Sequence, residues 1–143
     1  MTYERGRSAG YLTNWAARLF VRAIERRLTG GSAGPMPVFF ALLSSETMSQ
    51  KELANWASVE QPTMANTLNR MERDGLIERT PDPHDGRSAL ITLSRVGRQR
   101  AEQAMAAAAE VNGLALSGLT PAERELYFQL IYKVIGKLET DER

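Results

Sequence analysis

The sequence predicts a mainly α-helical fold with one small β-hairpin, and three observations point there. Apolar residues recur at helical spacing over long stretches near both ends of the chain. Between those stretches lie shorter helical segments marked by their own start and stop residues. A Pro/Asp/Gly-rich turn, Pro81 to Gly86, then separates two short runs with strand character.

Taken in order, Tyr11, Leu12, Trp15, Leu19, Ala23 and Ile24 share one face of a helix running from about Ser8 to Leu28. The segment TGGSAGPMP, from Thr29 to Pro37, stops it, because glycines weaken a helix and Pro35 and Pro37 cannot continue one. A second, mostly buried helix starts at Val38 and reaches Ser44. Ser49 caps the next, with Glu52 three residues on completing a capping box. That helix ends near Ala57 and has Leu53, Ala54 and Trp56 as apolar surface.

Glu60 to Asp74 forms the following helix, with Pro62 in its first turn and Gly75 closing it. Leu76 to Thr80 and Ser88 to Leu93 read as strands. Ser94 caps a long helix that continues through AEQAMAAAAEV. Pro121 opens the last helix, about Ala122 to Leu138, which carries Leu126, Leu130, Ile131, Val134, Ile135 and Leu138. That apolar face is wider than one partner helix needs, and the first helix has an aromatic stripe with no domain of its own to cover it. A core shared by two chains accounts for both.

Composition narrows the function classes. The chain has 143 residues, enough for one real core, and is 43% hydrophobic and 24% charged, as in ordinary soluble globular proteins. The apolar run Val38 to Leu43 is far too short to span a bilayer, and the N-terminus lacks the apolar stretch of a secretory leader. A cytoplasmic location without membrane attachment is expected. With no cysteine, disulfides, cysteine-based zinc sites and thiol redox sensing are excluded. His84, the single histidine, reads as a solvated loop residue; no metal site and no cofactor are expected. The net charge of +1 gives little support to nucleic-acid binding, but its distribution is uneven. Arg5, Arg7, Arg18, Arg22, Arg26 and Arg27 crowd the first thirty residues, against Glu4 and Glu25.

The helix from Glu60 to Asp74 is the most informative element. With Met64 at the origin of a helical wheel, Leu68 and Met71 fall beside it and define the buried stripe. Pro62, Thr63, Asn66, Asn69, Arg70 and Arg73 fall between about 140° and 260°, on the opposite side. Such a face can read base edges: asparagine pairs with adenine, arginine with guanine O6/N7, and a threonine methyl or proline methylene touches the thymine methyl. Gln61 lies off that arc at the helix N-terminus, within reach of a phosphate or base. A capped helix, a short turn, this polar-faced helix and a hairpin, in that order, form a winged helix-turn-helix.

The wording of this region is also specific. EQPTMANTLNRMERDGLIER, DPHDGRS and LITLS-x-x-G strongly resemble the multiple-antibiotic-resistance regulator (MarR) family of bacterial transcription factors. The match covers about a third of the chain, and the flanking helices agree in length and order. The resemblance implies one domain over residues 1–143: a winged helix-turn-helix over 36–94, with N- and C-terminal dimerisation helices over 8–30 and 96–140. It implies that Gln61 to Glu72 is the recognition helix, which adds Thr67 to the candidate DNA contacts. It further implies a wing at Pro81 to Arg87, with Arg87 entering the minor groove and Asp85 pairing with Arg87 to brace it. Gly86 stands where the family often has arginine, so the tip should make fewer phosphate contacts.

Many family members lose DNA affinity when a small aromatic acid or lipophilic compound binds between the dimerisation helices and the winged region. Trp15, Arg18, Met36, Phe39, Phe40 and Trp56 are the candidate lining, since a guanidinium beside aromatics suits a phenolic carboxylate. The peroxide-sensing branch needs a thiol that this chain lacks. The expected function is thus a homodimeric regulator, a repressor of a pseudo-palindromic operator on double-stranded DNA. The alternative is a winged-helix protein-interaction module without specific DNA binding. An enzyme is not expected, because no nucleophile–base arrangement or phosphate loop is recognisable.

Overall fold

The computed structural model describes residues 2–29 and 31–143. Its elements run α1 (Ala9–Glu25), α2 (Met36–Ser45), β1 (Met48–Ser49), α3 (Gln50–Ala57), α4 (Gln61–Arg73), β2 (Ile77–Asp82), β3 (Asp85–Leu93), α5 (Arg95–Ala115) and α6 (Pro121–Asp141). The fold is mostly helical with a small antiparallel sheet, as the sequence predicts. The chain divides into two compact units, one ending at Ala108 and the other spanning Ala109–Arg143.

In the first unit the core gathers Val38 and Leu42 of α2, Leu53 of α3, Leu68 and Met71 of α4, and Ile91 of β3, all essentially sealed from solvent. Met64 joins them, so the wheel of α4 divides as its sequence indicates. Ala101 and Ala104 of α5 pack on the same core, their small side chains letting that helix approach closely.

Several boundaries differ from expectation, each for a local reason. Helix α1 stops at Glu25, not Leu28, because Arg27 N donates to Ile24 O and Leu28 N to Glu25 O. Those three-residue spacings tighten the turn out of the α pattern. Gly30, near the start of the predicted break, lies outside the described residues. Helix α2 starts at Met36 instead of Val38, because Pro37 sits in its first turn, where no amide hydrogen is needed. Trp56, expected as apolar surface of α3, is 48% exposed, while its neighbours Leu53 and Ala54 are buried.

The sheet has three strands in the order β1-β3-β2, all antiparallel, with Met48 opposite Ile91 and Arg79 also opposite Ile91 on the other side. Strand β1 was not expected from the sequence: two residues cannot display an alternation. The hairpin strands are longer than predicted and the turn shorter, reduced to Pro83 and His84. Pro81 is accommodated because β2 is an edge strand, and the register slips between Pro81 and Asp82.

Two joints hold the hairpin to the helices. Asp74 and Gly75 end α4 in a Schellman motif: Gly75 N donates to Glu72 O and Leu76 N to Met71 O, with Gly75 at φ +74°. Ser94 ties the far end, its hydroxyl donating to Gly75 O at 2.6 Å and accepting from Gly97 N at 3.0 Å. Gly97 is required there, because a Cβ would overlap the Leu76 carbonyl oxygen. These contacts explain the L-S-x-x-G wording.

In the second unit, Thr120 and Glu123 form a capping box at the start of α6. Arg124 Nε donates to Leu116 O, tying the helix to the preceding loop. None of the residues of α6 is buried.

Candidate nucleic-acid interface

Helices α3 and α4 meet through a turn at Ser58 to Glu60. Ser58 adopts φ +55°, a left-handed conformation, and Val59 N donates to Ala54 O at 3.0 Å. The capping box at the start of α3 has both halves: Glu52 N donates to Ser49 Oγ, and Ser49 N to Glu52 Oε1. Glu60 precedes α4 without a side-chain cap, which leaves first-turn amides free beside Gln61.

On α4, Gln61, Pro62, Thr63, Asn66, Asn69, Arg70 and Arg73 are exposed, whereas Thr67 is half-buried. The Thr67 hydroxyl donates to Thr63 O at 3.1 Å, so it serves its own helix. Arg73 Nε reaches Asp74 Oδ1 at 3.4 Å, an open surface pair. Arg70 makes no ion pair among the described residues.

Asn69 has a partner that sequence reasoning missed. Arg79, on β2, donates from Nη1 to Glu72 Oε1 at 3.0 Å and from Nη2 to Asn69 Oδ1 at 3.2 Å. A helix and the strand after it are thereby clamped by one guanidinium. Only the reversal at Gly75 brings these residues together, and no spacing rule spans it.

At the hairpin tip, Asp82 Oδ1 accepts from His84 N at 2.8 Å and Asp85 Oδ1 from Arg87 N at 3.0 Å. The expected ion pair between Asp85 and Arg87 is replaced by this contact to the main chain, because a short Asx turn satisfies the carboxylate locally. The Arg87 side chain is exposed.

The six residues expected to line an effector pocket lie on three helices, α1, α2 and α3. Met36 is buried and Phe40 half-buried in the core; Trp15 is 49% exposed. Arg18 lies on an open groove of α1 with Ala17, Val21 and Arg22. Of the six, Phe39 lines a cleft of about 490 Å³, with Leu28, Pro35 and Leu76 as further apolar walls and Ser32, Asp74, Arg100 and Gln103 among its polar groups. The guanidinium at this cleft is thus from α5, not α1.

Residues 38–89, from α2 through most of β3, match the MarR family. The chain is 31% identical over 99 residues to the transcriptional regulator HosA of Escherichia coli O111:H-, covering 69% of this chain and 73% of HosA. It is 28% identical over 103 residues to the HTH-type transcriptional repressor IacR of Pseudomonas putida, covering 72% of this chain. It spans less than two thirds of that relative, 62% of its length. Among solved structures, Bordetella bronchiseptica BpsR, described for regulation of its DNA binding by 6-hydroxynicotinic acid, superposes with a TM-score of 0.78 at 25% identity. That match covers 87% of this chain and 96% of BpsR.

Proposed function

The chain belongs to the MarR family, and we propose that it acts as a homodimeric, sequence-specific DNA-binding regulator that represses a pseudo-palindromic operator in the cytoplasm. The observation that carries the reading is the outward face of α4, where Gln61, Pro62, Thr63, Asn66, Asn69, Arg70 and Arg73 all stand in solvent opposite a sealed apolar stripe. A helix presented in this way enters the major groove, and Arg87 on the hairpin meets the adjacent minor groove. Residues 1–143 work as one unit in this reading, without catalysis, cofactor or membrane attachment.

Two uncovered apolar faces support the dimer. Leu12, Trp15 and Leu19 on α1, and Leu126, Leu130 and Val134 on α6, are each 40–50% exposed. A second copy would cover them and set two recognition helices about one DNA turn apart.

An effector enters the same proposal through the cleft beside Phe39. Arg100 offers a planar donor fork for a carboxylate, and Phe39, Leu28 and Leu76 offer walls for a ring. The description of BpsR as regulated by 6-hydroxynicotinic acid supports a small aromatic acid as the class.

The test is to sequence genomic fragments retained by the purified protein, with and without aromatic acids. Arg70→Ala and Asn66→Ala should each weaken operator binding by about 1–3 kcal/mol and relax preference at single positions. Operator affinity unchanged in both variants, with folding intact, would remove α4 as the reader. Retention that ignores salt concentration would instead favour a protein-interaction module.

A further inference from the structure

We infer that Arg79 is a specificity-positioning residue: it holds Asn69 so that α4 presents an amide donor, not an adenine-reading donor–acceptor pair, at that position. The inference rests on the DNA-binding reading of α4 and says what one of its residues can recognise.

The side chains themselves set the logic. A guanidinium has donors and no acceptor, so the Asn69 atom that meets Arg79 Nη2 at 3.2 Å is the carbonyl oxygen. The amide orientation is therefore determined by chemistry. Bidentate pairing of asparagine with adenine needs Oδ1 and Nδ2 together, coplanar with the base edge. Here Oδ1 is tied toward β2, and Asn69 is an exposed residue, so Nδ2 is the atom left for the groove. An isolated donor suits guanine O6/N7 or thymine O4; at adenine it meets only the N7 acceptor, beside an N6 donor that it cannot satisfy.

Glu72 completes the device. Its carboxylate accepts Nη1 at 3.0 Å, with the Arg79 side chain only 27% exposed, so the fork is aimed before Asn69 is engaged. Both contacts use the fixed spacing of the guanidinium fork. A lysine could keep the ion pair with Glu72 but, as a single ammonium on a flexible stem, would not hold the amide plane as well.

That difference supplies the experiment. Duplexes randomised across a half-site are enriched on the full-length wild type and on Asn69→Ala, Arg79→Met and Arg79→Lys, with the thermal midpoint of each protein recorded. Asn69→Ala identifies the base column that depends on Asn69. The wild type should prefer guanine or thymine there. Arg79→Met and Arg79→Lys should both raise adenine at that column by about fivefold or more, the lower end of what a bidentate pair discriminates, with the other columns unchanged.

Arg79→Lys matters most, because it preserves a purely structural ion pair and still frees the amide. It also keeps the question answerable should Arg79→Met fold poorly. Wild-type preference for adenine at the column overturns the inference. So does an Arg79→Lys pattern identical to wild type, or an equal fall at every column. A wild type that enriches no motif at all overturns the DNA-binding reading itself, and the inference with it.

Discussion

The winged unit and the last helix differ in one respect that matters for function. From α2 through β3, most apolar positions find partners within the chain: Leu42, Leu53 and Leu68 are wholly buried, with Trp56 and Val59 as exposed exceptions. In α6, Leu126, Leu130, Val134 and Leu138 are 44–63% exposed, although their spacing is just as regular. Periodicity therefore shows that a helix has an apolar face and says nothing about what covers it. The winged unit buries its own apolar positions, whereas α6 leaves its apolar face open, the face that the proposed dimer would cover.

The largest expected effect tests that contrast with one chemistry at two places. Leu68→Ala removes packed methyl groups and should cost about 2–5 kcal/mol in denaturant unfolding. Leu130→Ala, measured at high dilution, should stay within about 0.5 kcal/mol of wild type, as surface changes do. If the proposed dimer forms through this face, Leu130→Glu should leave the chain folded but unable to self-associate in sedimentation, since an unpaired charge would have to enter the interface. Equal losses in dilute unfolding for Leu68→Ala and Leu130→Ala would break the comparison.

A smaller effect concerns two glycines of α5. Gly97 sits against the Leu76 carbonyl, so Gly97→Ala forces a backbone shift at the joint between α5 and the hairpin and should cost about 1–3 kcal/mol. At Gly113 a methyl group would point into open space, so Gly113→Ala should stabilise by about 0.5–1 kcal/mol through helix propensity alone. Thermal unfolding of the two variants should therefore shift in opposite directions. A gain in both would mean that the close approach at Gly97 relaxes freely.

These contrasts also explain what could be read in advance. Local signals were legible: the capping box at Ser49, the proline in the first turn of α4, its stripe of Met64, Leu68 and Met71, and the closing Gly75 each act within a few residues. The outward face of α4 followed from the same wheel. Contacts between elements were not legible. Strand β1 exists only because Met48 and Ser49 pair with Ile91 and Leu90, and two residues carry no period. Arg79 meets Asn69 only after the chain reverses at Gly75. The cleft beside Phe39 was not legible for a related reason: aromatic side chains near an arginine in sequence, such as Trp15 and Arg18, need not line the same cavity. The cleft takes its guanidinium from Arg100 because α5 returns past Phe39 and Leu76.

The smallest expected effect separates the two units by pH. At the start of α6, Thr120 N donates to Glu123 Oε1 at 2.9 Å, and Glu123 N donates to Thr120 Oγ1 at 3.2 Å. The Thr120 backbone amide, followed by its side chain, holds the Glu123 carboxyl below the ordinary glutamate range. A carboxyl lowered by folding favours the folded state wherever it is ionised in the unfolded chain, and the benefit disappears as pH falls through the folded value. Wild type should therefore exceed Glu123→Gln in protection of the first α6 amides at neutral pH. That margin should close on acidification below about 4.3, the free glutamate value. Thr120→Val removes only the lesser cause and should return the Glu123 titration part of the way, which carboxyl-detected NMR would follow. Because the box lies in the second unit, none of these changes should move hydrogen exchange at Leu68 or Ile91. A margin that widens on acidification would reverse the sign of the linkage, and a parallel loss of protection at Leu68 would show that the two units do not unfold independently.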